Sequence, residues 1–400
     1  MKNKFLFLGI AAALFIACEA DDTSDIVIND SSVTNNTTNN TTGGGSETTT
    51  VNLSGVYTAD LTLNPDIEYI VTGPVLIASG ATFTVPAGMT IKAEPVGVNA
   101  YIAIQQGAKI EANGTAANPI VFTSNAAAPS SGNWGGIVLC GRAPINSTAD
   151  GSTDTATTEV GGLSYGGNVS DDDSGSIQYV RIEYAGGAID GNAELNSLSV
   201  YAVGTGTVID YVEAYEGSDD GFEFFGGTVE ASHLVVVNSE DDSIDWTEGF
   251  IGSITDAYVQ HGTSHDKAFK CDGYNTDFSN VGGYFSAPTV TNVTIVGAND
   301  GTSEAIRLRA GTQGTFNNIV FNDFDEAFDL DGDAGDNPTG QGVLDDLLNA
   351  VDATFNNVTT NMKNDTGFVF DEADFITGEG NGTGTDIATW GAGWTVGINQ

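Results

Sequence analysis

The sequence predicts an all-β fold, a parallel β-helix solenoid with one short inserted helix near 343–350, and three observations carry that reading. First, an apolar strand signature recurs from Ile177 onward, with inward candidates Val180 and Ile182, Val212 and Ala214, Leu234 and Val236, Ala257 and Val259, Val293 and Ile295, Ile319 and Phe321, and Val358 and Thr360. Its leading positions lie 32, 22, 23, 36, 26 and 39 residues apart. Second, another alternating pair follows each of these from Val212 on: Phe222 and Phe224, Ile244 and Trp246, Phe269 and Cys271, Ile306 and Leu308, Phe328 and Leu330, Phe368 and Phe370. The offset between the two signatures is 10, 10, 12, 13, 9 and 10 residues. A near-constant offset inside a variable period describes one structural unit with loops inserted between turns. Third, strands of about four residues separated by Gly and Asn turns suit the coils of a β-helix. A propeller blade needs four strands in about 40–45 residues, and helical repeats need a 3.6-residue apolar period. That period occurs only in Val343–Ala350, hence the inserted helix.

Taken in chain order, residues 1–17 read as a signal peptide. Lys2 and Lys4 form a positive start, and the apolar run from Phe5 to Ala17 is too short to span a bilayer. Leu14-Phe15-Ile16-Ala17-Cys18 resembles a bacterial lipobox, with Phe15 in place of the usual Leu. The resemblance implies acylation of Cys18, and Glu19, Asp21 and Asp22 beside it resemble the export signal of cell-surface lipoproteins. Residues 18–50, dominated by Asn, Thr, Ser and Gly, read as a disordered, acylated tether. Residues 51–400 form the β-helix domain.

Charge narrows the function. The chain carries 54 Asp and Glu against 11 Lys and Arg, a formal net charge of −43. A nucleic-acid partner needs a basic footprint, which is lacking. Removal of residues 1–17 takes away two lysines and leaves −45. A covalent lipid is therefore the expected membrane contact, since electrostatic adhesion to anionic lipid is unfavourable.

The segments Gly80-Ala-Thr-Phe-Thr-Val-Pro-Ala-Gly88, Gly107-Ala-Lys-Ile-Glu-Ala-Asn-Gly114, Trp134-Gly-Gly-Ile-Val-Leu-Cys-Gly-Arg-Ala-Pro-Ile145, Asp219-Asp-Gly-Phe-Glu-Phe-Phe-Gly-Gly227 and the terminal Trp394 resemble those of right-handed, pectin-lyase-like β-helix surface lipoproteins of Gram-negative bacteria. The resemblance runs from about Val71 to the C-terminus. It implies a right-handed coil and an outer-membrane, cell-surface location, and it carries no settled activity.

Two columns of charge are the candidate sites. Between the inward residues of the second strand, side chains alternate to the outer face. This outward column reads Glu223, Asp245, Lys270, Arg307, Asp329 and Val369, with neighbours about 4.8 Å apart down the stack. It can act as a ligand face. Its clustered Lys and Arg opposite carboxylates also resemble a polysaccharide-lyase arrangement, in which Ca²⁺ neutralises a uronate and a basic residue takes the α-proton. The bland reading is a self-neutralising ladder of ion pairs.

The second column lies in the turn before the same strand: Asp219, Asp220, Asp241, Asp242, Asp266, Glu304, Asp325 and Glu326. Like charges one strand apart call for a cation or for raised pKa values. Ca²⁺ is the cofactor that fits, since it accepts many oxygens in irregular geometry. Asp331 and Asp333 add a further acidic loop that departs from an EF-hand. His233, His261 and His265 read as exposed turn residues, Cys140 and Cys271 as inward strand residues, and Tyr179 and Tyr211 as exposed rings able to stack on sugars. The sequence thus reads as a binding or adhesion protein whose partner is a glycan, a surface polymer or an outer-membrane transport protein. The reading from another class is a Ca²⁺-dependent polysaccharide lyase.

Overall fold

The computed structural model describes residues 37–38, 49–149, 151, 155–190, 193–301, 303–332 and 338–398, so residues 1–17, read above as a signal peptide, Cys18 and Asp333 lie outside the described residues. Within the stretch read as tether, Thr37–Thr38 pairs antiparallel with Thr50 and Val51. From Thr49 onward the chain winds through stacked coils whose strands pair in parallel, as in Gly175–Glu183 on Val208–Tyr215 and Phe222–Phe225 on Ile244–Thr247. This is the all-β parallel β-helix that the two strand signatures predict. No described helix is long and apolar enough to cross a membrane.

Each first strand is bent in its middle. The register skips one residue per coil there, and that residue has left-handed backbone: Tyr179, Tyr211, His233, Asp256, Asn292 and Asn318, with φ between 48° and 58°. Asn and Asp tolerate this conformation better than other non-Gly residues. Tyr is less suited to it, and the rings at this corner stack: Tyr179 on Tyr211 at 4.2 Å and Tyr211 on His233 at 4.0 Å. The bend turns the strand into two arms that wrap one core.

The interior column is in the predicted register. Phe222 pairs with Ile244, Ile244 with Phe269, Phe269 with Ile306 and Ile306 with Phe328, all fully buried. The last coil departs from the prediction. Ile319 and Phe321 pair with Ala353 and Phe355 rather than Val358 and Thr360, and Phe328 pairs with Met362 rather than Phe368. Beyond this coil, among the described residues, only the two-residue strand Ile376–Thr377 is stacked. Its second arm is half-exposed and polar, which erases the apolar alternation there. The corner asparagines divide between two columns. Asn318 bonds Asn292 at 2.8 Å, whereas Asn357 sits at the next corner and donates to Asp323 at 2.7 Å.

Three further expectations need correction. The inserted helix spans Thr339–Leu344, directly after Pro338, and Leu348–Asn364 is strand with Leu348 and Ala350 in the core. Cys271 faces the interior, but Cys140 points outward into a second cluster with Tyr165, Tyr201 and Phe225, under the chain that follows it. The C-terminal segment straps the outer face. Trp394 is fully buried edge-on against Tyr179 and Tyr211, and the Val396 N–H donates to the buried Glu213 carboxylate at 3.0 Å. Tyr179 and Tyr211 are therefore covered and not offered to a sugar.

Candidate functional site

The turn before each second strand is tight because coils approach closely. A Cβ on Gly221 would lie 2.6 Å from the Ser243 carbonyl, so the sequence Asp219-Asp220-Gly221 ends in glycine. The two acidic side chains then face the next coil. Asp220 Oδ1 accepts the Asp242 N–H at 3.0 Å, and Asp242 Oδ1 accepts the Lys267 N–H at 2.8 Å. Each carboxylate caps the turn stacked against it.

The outward column is continuous through Glu223, Asp245, Lys270, Arg307 and Asp329, as predicted. It ends on Lys363 instead of Val369, which is 94% exposed and off the ladder. The sequence reading missed Lys363 because the polar last arm gave no strand signal. The column is also less open than an outer face suggests: Asp245 and Asp329 are only 3% and 2% exposed.

The cations of this column are committed to carboxylates. Lys270 Nζ lies 2.7 Å from Asp242 Oδ2 and 2.5 Å from Asp245 Oδ2. Arg307 grips Glu304 in a two-point pair at 2.9 and 2.8 Å and touches Asp329 at 3.5 Å. Arg309 holds Asp272 through bonds of 2.5 and 2.9 Å, and Lys363 reaches Asp365, Asp329 and Glu326. Burial works against the Lys270 charge, yet Asp245, Asp242, Asp220 and Glu223 outweigh it and hold the ammonium well above its usual range. Burial likewise opposes the Arg307 charge, and its Glu304 partner more than restores it.

The acids outnumber the bases locally. Three convergent groups run down the turn: Asp219, Asp220 and Asp241; then Asp220, Asp242 and Asp245; then Asp241, Asp242 and Asp266, with carboxylate oxygens within 4.8 Å of one another in each. A fourth group joins Glu304, Glu326 and Asp329. Burial, with Glu194 and Asp241 adding repulsion, pushes Asp219 up to about 8. Burial also raises Asp245 to about 7 and Asp241 to about 6, and it lifts Asp220 and Glu223 well above the carboxylate range. Asp245 Oδ1, Asp329 Oδ1 and Ser243 Oγ are buried without a hydrogen-bond partner among the described residues.

The candidate metal residues thus sort by position. Asp219, Asp220, Asp241, Asp242 and Asp266 come together, Asp245 joins them from the other column, and Asp331 belongs to none of the four groups. The donor set is all oxygen, which suits a hard cation such as Ca²⁺ and not zinc. An orphaned, buried Asp245 oxygen in one group with Asp220 and Asp242 is the feature a bound cation would satisfy. Asn196, whose Nδ2 donates to Glu223 at 2.7 Å, is another member that no sequence pattern marked.

The histidines also differ from expectation. His233 is half-buried under Trp390, and His261 is buried against His265, with ring centroids 4.5 Å apart.

A family model described as a pectate-lyase like beta helix domain matches residues 55–395. No curated protein and no solved structure matches the chain.

Proposed function

We propose, from the premise that the chain belongs to the pectate-lyase-like β-helix family, that it is a non-enzymatic glycan-binding protein. In this reading the Cys18 acyl chain anchors it in the outer membrane at the cell surface, and the turn carboxylates hold Ca²⁺. The bound ion supplies a positive contact for the carboxylates of an acidic glycan. Without it, the negative face would repel such a ligand.

One observation carries the choice of binding over cleavage. A lyase needs a basic group with a free lone pair to take the proton α to the uronate carboxylate. Lys270 is clasped between Asp242 and Asp245, and Arg307 is bound at two points by Glu304. Both are held protonated by their neighbours. They serve as structural counter-ions, which leaves the half-exposed Asp241 and the exposed Asp266 as the open acids of the convergent turn groups.

The test incubates the full chain with polygalacturonate or alginate, in Ca²⁺ or in EDTA. The reading expects Ca²⁺-dependent retention of the polymer and no rise in the ultraviolet absorbance of unsaturated uronate ends. Such a rise would establish the lyase instead.

A further inference from the structure

The strap across the outer face is built differently from the coils beneath it. No described residue after Thr377 belongs to a strand. The strap's backbone is held instead by single side chains of the coils. Asn318 Oδ1 accepts the N–H groups of Thr383 and Gly384 at 2.6 and 3.1 Å, Thr294 Oγ1 accepts that of Thr385 at 3.0 Å, and Arg181 Nη1 donates to the Trp394 carbonyl at 3.0 Å. The Glu213 bond to Val396 and a 3.1 Å bond from Gln260 Nε2 to the Gly397 carbonyl continue the series. None of these anchors belongs to the ladder between coils, so breaking them leaves every coil paired.

The apolar contacts are separate too. Among the described residues, the interior core contains nothing beyond Ile376, whereas Trp394 packs in an outer cluster with Val235, Val237 and Tyr258. These three point away from the interior because strand side chains alternate. Trp394 is the one apolar side chain described between 383 and 398 that is fully buried, and Ile387 and Trp390 are half-buried. Trp394 Nε1 donates to the Trp390 carbonyl at 2.8 Å, which ties the two tryptophans into one piece.

The link to the last coil is Gly378-Glu379-Gly380-Asn381-Gly382-Thr383-Gly384. Close approach accounts for three of these glycines, since a Cβ on Gly378, Gly382 or Gly384 would lie within 2.4 Å of a neighbouring atom. Gly380 has no such neighbour, and it is exposed with a left-handed φ of 84°. Its N–H bonds the Ala353 carbonyl at 2.7 Å, which fixes the near side of a pivot that glycine backbone permits.

We infer that residues 383–398 form a latch that opens as one unit about Gly380 while the stacked coils stay folded. Units with few buried apolar contacts open at lower cost than a whole domain. Opening uncovers Tyr179 and Tyr211 together with Val235, Val237 and Tyr258, an apolar face of the kind that marks interaction sites. The latch thus decides when the protein presents that face.

The test follows amide hydrogen exchange of the full chain by mass spectrometry, in water and in sub-denaturing urea. Peptides covering 383–398 should exchange through an opening with weaker urea dependence than that of the ladder strand Phe222–Phe225, since less surface is exposed. Trp394→Ala should speed exchange of the latch by about a hundredfold or more and leave the Phe222–Phe225 amides unchanged. The same urea dependence in both segments would mean one global opening and would overturn the inference. So would a Trp394→Ala variant in which both segments accelerate together or neither does. Exchange of 383–398 at the rate of an unstructured peptide would overturn it too, because the latch would then never close. Should the variant fail to fold, the wild-type urea dependence decides by itself.

Discussion

The Asp220 carboxylate accepts the backbone N–H of Asp242 one coil away, at 3.0 Å. Asp242 repeats the act on Lys267 at 2.8 Å while its other oxygen binds Lys270. These acids therefore have a structural task as turn caps. The task consumes one oxygen of Asp220, and although Lys270 offsets part of the charge of Asp242 and Asp245, burial and mutual repulsion still hold Asp219, Asp241 and Asp245 above the usual carboxylate range. That residual repulsion is the physical basis for a cation.

Ca²⁺ should raise the melting temperature. If its dissociation constant is about 10 μM, then about 1 mM is a hundredfold excess and adds about 2.7 kcal/mol. Replacing Asp219 and Asp241 by Asn should remove most of the shift. The chelated variant should be at least as stable as the chelated wild type, because neutral amides replace crowded acids whose ionisation is disfavoured there. Differential scanning calorimetry in Ca²⁺ and in EDTA, at matched ionic strength, measures both. Equal melting temperatures in the two buffers would refute the cation site.

Glu248 provides a pH signature away from the ladder. Burial raises its pKa to about 7, while hydrogen bonds from Tyr165 and Asn275 pull it the other way. Its native pKa exceeds the unfolded value near 4.5, so the native state binds more protons between those pH values. Its contribution is fully present below about pH 4.5 and is lost as pH rises through 7. The loss is on the order of 3 kcal/mol. Urea unfolding at pH 5 and pH 8 should show a smaller decline for Glu248→Gln than for wild type; parallel declines would remove Glu248 as a source.

How far the sequence disclosed this site follows from geometry. The interior column of Phe222, Ile244, Phe269, Ile306 and Phe328 was legible because every coil must fill the same core position with an apolar residue. Glu223 to Asp329 followed from alternation alone. The burial of Asp245 and the covering of Tyr211 were not legible, since they depend on loops and on the C-terminal strap, whose positions no repeat specifies. Lys363 was missed for the opposite reason: the terminal arm is half-exposed and relaxes the apolar pattern that would have marked it.

The register of the core can be tested by a pair of truncations. Phe269 is fully buried against Trp246 and Phe316, so Phe269→Ala should cost about 3–5 kcal/mol. Phe368 lies off the ladder and half-buried, so Phe368→Ala should cost well under half as much. Chemical denaturation compares them directly. Equal costs would restore Phe368 to the interior column.

The proposed lipid anchor makes a cellular prediction. Cys18→Ser should abolish acylation and release the protein from the membrane fraction, given a net charge that opposes adhesion to anionic lipid. Fractionation followed by mass spectrometry of the N-terminus reads both. Unchanged partitioning with the outer membrane would overturn the anchor.

Isothermal titration calorimetry of the full chain with polygalacturonate in Ca²⁺ tests the central claim most directly. Binding without cleavage predicts heats that saturate at a fixed stoichiometry, vanish in EDTA and vanish for the Asp219→Asn, Asp241→Asn double variant. A steady heat flow that scales with polymer added and persists until it is consumed would mean turnover, and no heat in Ca²⁺ would mean that the ladder is only a scaffold.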